Sequence, residues 1–179
     1  MRRRGLLSLA GACIASIAMI AAAGAQSSVA PEAERVAKVY MTAFFAGDLK
    51  TAADLMDPKT LERMRESFLG ELVKVSDPDT ENAILANLGL AKTTAELSKV
   101  DARTLYIATT MADQRRNPQV LEAMKLTRVE VLGSEPNPAG GVTVRFRIIA
   151  PANAGTSSKE SGLLMRQVLG DWKVVGNVP

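Results

Sequence analysis

The sequence has no histidine, one cysteine and few aromatics, which make up 4% of its 179 residues. Each shortage excludes a chemistry. A serine or cysteine nucleophile needs a neighbouring base, usually histidine, so triad-type catalysis has no partner set here. Zinc and copper sites draw on the same residue types, and neither a metal nor a cofactor is expected. No Gly-rich phosphate loop occurs, because Gly140-Gly141 lacks the lysine and the spacing of one and reads as turn chemistry. An excess of one charge is scarce too. The formal net charge is +3, and Arg2, Arg3 and Arg4 account for all of it. The other 19 basic residues balance 19 acidic ones. Nucleic-acid binding needs a basic surface, so no such partner is expected. With 47% hydrophobic residues and balanced charge, the chain has the composition of a folded domain. Its core must rest on Leu, Val, Ile, Met and Ala.

Residues 1–25 read as a signal peptide. Met1 to Arg4 form a basic start, Gly5 to Ala25 carry no charge, and Ala23-Gly24-Ala25 is a small-x-small cleavage site. The expected cut falls between Ala25 and Gln26. Three alternatives accompany this reading. The stretch is long enough to remain as an uncleaved membrane anchor. Cys13 is a lipoprotein candidate, although Ala10-Gly11-Ala12-Cys13 lacks a large aliphatic residue three positions before it. Arg3-Arg4-Gly5-Leu6-Leu7 suits twin-arginine export. All lead out of the cytoplasm, to the periplasm or the extracellular space. After cleavage no membrane span is expected. Cys13 leaves with the signal, so the mature chain has no thiol and packing alone must stabilise it.

Residues 26–30 read as a flexible leader and residues 31–179 as a single α+β domain. Residues 31–125 read as mainly helical and residues 126–179 as an antiparallel sheet. Pro31 opens a first helix with Val36, Val39, Tyr40, Ala43 and Phe44 at three- and four-residue spacing. Gly47-Asp48 ends it, and Leu49 to Met56 follow as a short second helix. Asp57-Pro58 and Asp77-Pro78 repeat the start signal. Ala95 to Ser98 read as a turn, Asp101 caps a further helix, and Asn117-Pro118 starts a last turn. The methionines are scattered and read as core packing. Then the period changes to two. Thr127 to Leu132 alternate, Gly133 to Gly141 read as a long hairpin loop, and Val142 to Ile149 alternate most clearly. Pro151 to Ser161 read as a polar loop. Leu163 to Leu169 and Trp172 to Val175 read as a closing hairpin around a Gly170-Asp171 turn. The fold class is therefore N-terminal helices packed on a four-stranded antiparallel meander.

Two stretches carry a family resemblance. Residues 36–55, VAKVYMTAFFAGDLKTAADL, hold an amphipathic helix, a Gly-Asp break and a short second helix. Residues 162–175, GLLMRQVLGDWKVV, hold a Gly-Asp turn before a Trp-Lys-Val strand. Both resemble the nuclear transport factor 2-like superfamily, whose members are cone-shaped α+β domains. The resemblance implies a cavity between helix and sheet. Relatives in that superfamily, ketosteroid isomerase and polyketide cyclases, work through acidic residues and often a helix tyrosine. Tyr40 sits on the first helix, but Glu130 is the one acid within an expected strand, so that pattern is incomplete. Tyr40 reads as a core residue with its hydroxyl at the edge.

Thr143, Arg145 and Arg147 share one strand face, and Arg128 and Arg166 join it if the register allows. This is either a solvated sheet face, with Glu130 paired to one arginine, or a cationic face for a carboxylate, phosphate or lipid headgroup. The expected function is non-enzymatic, a periplasmic domain binding a small apolar or amphiphilic anionic ligand. Tyr40, Phe44 and Phe146 are the expected lining, and Arg145, Arg147 or Arg166 the expected orienting charge. The alternatives are an interaction module of the cell envelope, with a homodimer through the sheet, and an acid–base lyase or isomerase.

Overall fold

The computed structural model describes residues 30–152 and 155–178. The cleavage residues Ala25 and Gln26, and Cys13, lie outside the described residues. The domain is α+β, with helices first and one antiparallel sheet after. Helix α1 (Pro31–Ala46) buries Ala33, Val36, Ala37 and Met41 along one stripe. Gly47, with φ 80°, turns the chain out of α1, and its N–H bonds the carbonyls of Ala43 and Phe44. Aspartates then start most of the helices by accepting a backbone N–H in the first turn. Asp48 caps α2 (Leu49–Asp54), Asp57 caps α3 (Pro58–Leu72), Asp77 caps α4 (Pro78–Leu88) and Asp101 caps α6 (Ala102–Arg116). Thr93 caps the single-turn α5 (Thr94–Leu97), where the sequence suggests only a turn. Helix α7 (Pro118–Lys125) buries no residue. Among the described residues, no helix is long and apolar enough to cross a membrane.

The sheet runs β1 (Arg128–Pro136), β2 (Val142–Ala152), β3 (Gly155–Val168) and β4 (Asp171–Val178), in that spatial order. Three local expectations need correction. Strand β1 continues four residues into the expected hairpin loop. A bulge between Val131 and Gly133 resets the register, and Gly133 at φ 134° supplies the backbone conformation that the bulge needs. The expected polar loop at 151–161 is largely strand, because β2 and β3 continue there as a two-stranded arm. Its polarity follows from exposure rather than from irregular backbone. The closing turn is Leu169-Gly170, both at positive φ, with Asp171 already paired to Val168. Ala30, the last residue of the expected flexible leader, is half-buried, and its N–H donates to Ser134 Oγ at 3.0 Å.

Among the described residues two apolar clusters form. The first lies between α1 and the inner sheet face and holds Val144, Phe146, Leu163, Met165 and Val174. The second lies among the helices and holds Leu72, Leu85, Leu88, Leu97 and Leu105. The helical half thus builds a cluster of its own. Met41, Met56 and Met165 are core, whereas Met64 and Met111 are exposed.

Leu169 is fully exposed at φ 54°, a conformation in which a branched side chain crowds its own backbone. Asparagine and glycine suit that turn position. Leu169→Asn should therefore stabilise the protein by about 1 kcal/mol, seen as a higher urea midpoint at unchanged slope. A lower midpoint would show that the leucine makes a stabilising contact.

Candidate functional site

Helix α1 crosses the inner sheet face and leaves a cavity of about 270 Å³ beside it. Tyr40 and Phe44, one helical turn apart, stack with ring centroids 6.3 Å apart and planes 21° apart. Phe45 meets Phe44 edge-on at 5.7 Å. These rings and Met41 form the helix wall. Strand β2 supplies Phe146 and Ile148, which point inward together because strand side chains alternate. Strand β3 supplies their cross-strand neighbours, Ser161 opposite Phe146 and Lys159 opposite Ile148. Asn177 of β4 completes the lining. Lys159 is the one charged side chain in that lining, and no carboxylate borders it. Lys159 itself is exposed, so its ammonium stands at the rim.

The Tyr40 phenol is half-buried and its pKa is raised, chiefly by desolvation, with the neighbouring Tyr106 hydroxyl adding to the shift. Burial also raises Tyr106, while its hydrogen bonds with Tyr40 and Thr110 oppose the shift. Both phenols stay protonated at neutral pH. Tyr40 offers the cavity a neutral hydroxyl beside apolar rings.

The six residues expected to bind ligand do not form one site. Tyr40, Phe44 and Phe146 line the cavity. Arg145 and Arg147 lie on the opposite face of the sheet, a correction that follows from β2 itself. With Phe146 inward, its two chain neighbours must point outward. There Arg147 pairs with Glu160 at 2.7 Å and with Glu130 at 3.6 Å, and the Glu160 contact raises its pKa. Arg145 sits 3.9 Å from both Glu135 and Glu160. Arg166 shares that outer face but bonds the carbonyls of Ala139 and Gly140 in the β1–β2 loop, at 2.8 and 3.4 Å. The outer face is a cross-strand ion-pair ladder. Sequence reasoning missed Lys159, Ile148 and Phe45. The signal for Lys159 was its place two residues before Ser161 on a strand, hidden by the polar composition of that segment.

Among the described residues, no group of three or more Asp, Glu, His or Cys side chains could hold a metal ion. Comparison with protein-family models, curated proteins and solved structures finds no match for this chain.

The chain contains two tyrosines, and both pKa values are raised by burial. At about pH 10 a free tyrosine is half ionised. The native protein should show well under half of the phenolate absorbance of the urea-unfolded chain at that pH. The sign for stability follows. The unfolded state ionises first, so stability is intact below pH 10 and declines above it. Equal absorbance in the two states would mean that the hydroxyls are solvated.

Proposed function

We propose that this is an exported, non-enzymatic domain, periplasmic or extracellular, that binds a small amphiphilic anion between α1 and the sheet. The reading keeps the plan of the nuclear transport factor 2-like superfamily, to which residues 36–55 and 162–175 are similar. One observation carries it: a cavity with aromatic walls whose one charged lining group is a cation at the rim. Apolar lining with few polar groups is the usual make-up of a small-molecule site. The ligand's apolar part lies between Phe44 and Phe146. Its anionic end meets Lys159 at the rim. The cavity lies just under the usual range of about 300–1,000 Å³, which suits a compact ligand. The lyase or isomerase alternative lacks an acid in this lining. The interaction-module alternative, pairing through the sheet, meets an outer face whose Arg145, Arg147 and Arg166 are already engaged, although Val120 in α7 and Leu126 just after it are more than half exposed.

The test is binding of octanoate by isothermal titration, with native mass spectrometry of the gently purified protein. Phe44→Ala should weaken octanoate about ten-fold through lost apolar contact. Lys159→Gln should weaken it about five-fold, the scale of an exposed ion pair. The double variant Arg145→Gln/Arg147→Gln should bind as the parent does, since its sites lie across the sheet. Absence of binding, or a loss confined to the arginine variant, would defeat the reading. A clean protein mass in a hetero-complex would move the interaction module ahead.

A further inference from the structure

A second cavity, of about 240 Å³, opens between α3 and α6. Met64, Phe68, Leu105, Tyr106 and Thr109 are among its walls. Tyr106 belongs to this second cavity, Tyr40 to the first, and Tyr40 packs on the cluster that contains Tyr106. The tyrosine pair thus stands where a space between α1 and the sheet and a space between α3 and α6 come nearest through shared side chains. Neither space alone reaches the usual size of a ligand site, and the two in tandem fall within it.

The charges at the two rims differ. Lys159 makes no ion pair at the first rim among the described contacts. At the second rim Arg65 is already engaged, by Glu62, by the Val100 carbonyl at 3.0 Å and by the Ser98 carbonyl, and Asp113 adds a carboxylate that repels an anion. A headgroup therefore finds its cation at the first rim, and the second space offers an apolar wall with Met64 half-exposed at its edge.

We infer that the two cavities form one bent site for a single-chain alkyl carboxylate, its headgroup at Lys159 and its chain passing Tyr40 and Tyr106 into the α3–α6 space. A short chain ends in the first cavity. A long one displaces the contact between the two hydroxyls and continues. This rests on the binding reading above and adds the ligand class and its length dependence.

The experiment compares octanoate with hexadecanoate on the whole protein by isothermal titration below the micelle threshold. Each buried methylene tightens binding about four-fold, so burial of only about four of the eight extra methylenes already makes hexadecanoate on the order of 100-fold tighter or more. Met64→Trp, a substitution at a half-exposed site, fills the second cavity and should bring the hexadecanoate-to-octanoate ratio below about ten-fold. Thr109→Phe should do the same from α6. A ratio near one in the parent overturns the tandem site while octanoate binding still stands. So does a ratio that neither variant lowers. Absence of binding by either carboxylate overturns the underlying reading and this one with it.

Discussion

The structure depends on a short parallel bridge between the helical half and the sheet. The Val174 N–H donates to the Leu55 carbonyl at 2.9 Å, and the Asp57 N–H donates to the Val174 carbonyl at 2.8 Å. One residue further along, Thr60 Oγ1 donates to the Val175 carbonyl at 3.0 Å. Met56 lies between the two backbone bonds and is buried. These bonds occupy the outer edge of β4, where free backbone groups would otherwise invite another strand. They also fix the point where α2 stops and α3 starts, because Asp57 caps α3 with its side chain while its backbone holds β4. Direction is set on both sides at once. Upstream, α1 and α2 are laid over the inner sheet face. Downstream, α3 is carried away from the sheet toward α6.

Helix α6 answers to both sides. Leu105, Ala108 and Ala112 face the helical cluster, whereas Ala102, Tyr106 and Ile107 meet the sheet cluster. A helix buried on two sides has apolar residues around its circumference and so a weak single stripe. That explains why the sequence shows the helix through its Asp101 cap more clearly than through its periodicity. It also accounts for the cavity between α3 and α6. A helix wedged between two cores cannot pack perfectly against both, and the imperfect contact collects at Tyr106, whose ring is long and whose hydroxyl must keep a partner.

Most of the architecture was legible, and for identifiable reasons. Asp57-Pro58, Asp77-Pro78 and Asp101 are start signals that act through local hydrogen bonds, so tertiary context had little to overrule. The alternation of Val142, Val144 and Phe146 marks a face that must be buried. The misses have the opposite character. The arm at 151–161 lacks apolar alternation because it is exposed, so period-two reading had nothing to detect there. The bulge at Val131/Gly133 depends on pairing with β2, which no local pattern encodes. In the candidate site, the aromatic wall was readable from the i, i+4 spacing of Tyr40 and Phe44. The error over the arginines was avoidable in principle. Alternation along β2 already separates Phe146 from Arg145 and Arg147. Lys159 was unreadable because its strand was.

The distribution of satisfied and unsatisfied chemistry over the sheet bears on function. On the outer face each of Glu130, Glu135 and Glu160 stands near an arginine, and Arg166 is held by the β1–β2 loop. Exposed pairs of this kind add little stability individually. Their effect is to use up directional charge on a surface that would otherwise attract ions or stack on a partner sheet. The free edge is guarded as well, since β1 carries a bulge and ends in Pro136, both unfavourable to strand addition. On the inner face the balance is reversed. Aromatic rings border open volume, and Lys159 stands beside it without a carboxylate in the lining. A fold that pairs the carboxylates of its outer face with arginines and leaves a cation beside an apolar cavity is what the proposed binding between α1 and the sheet rests on.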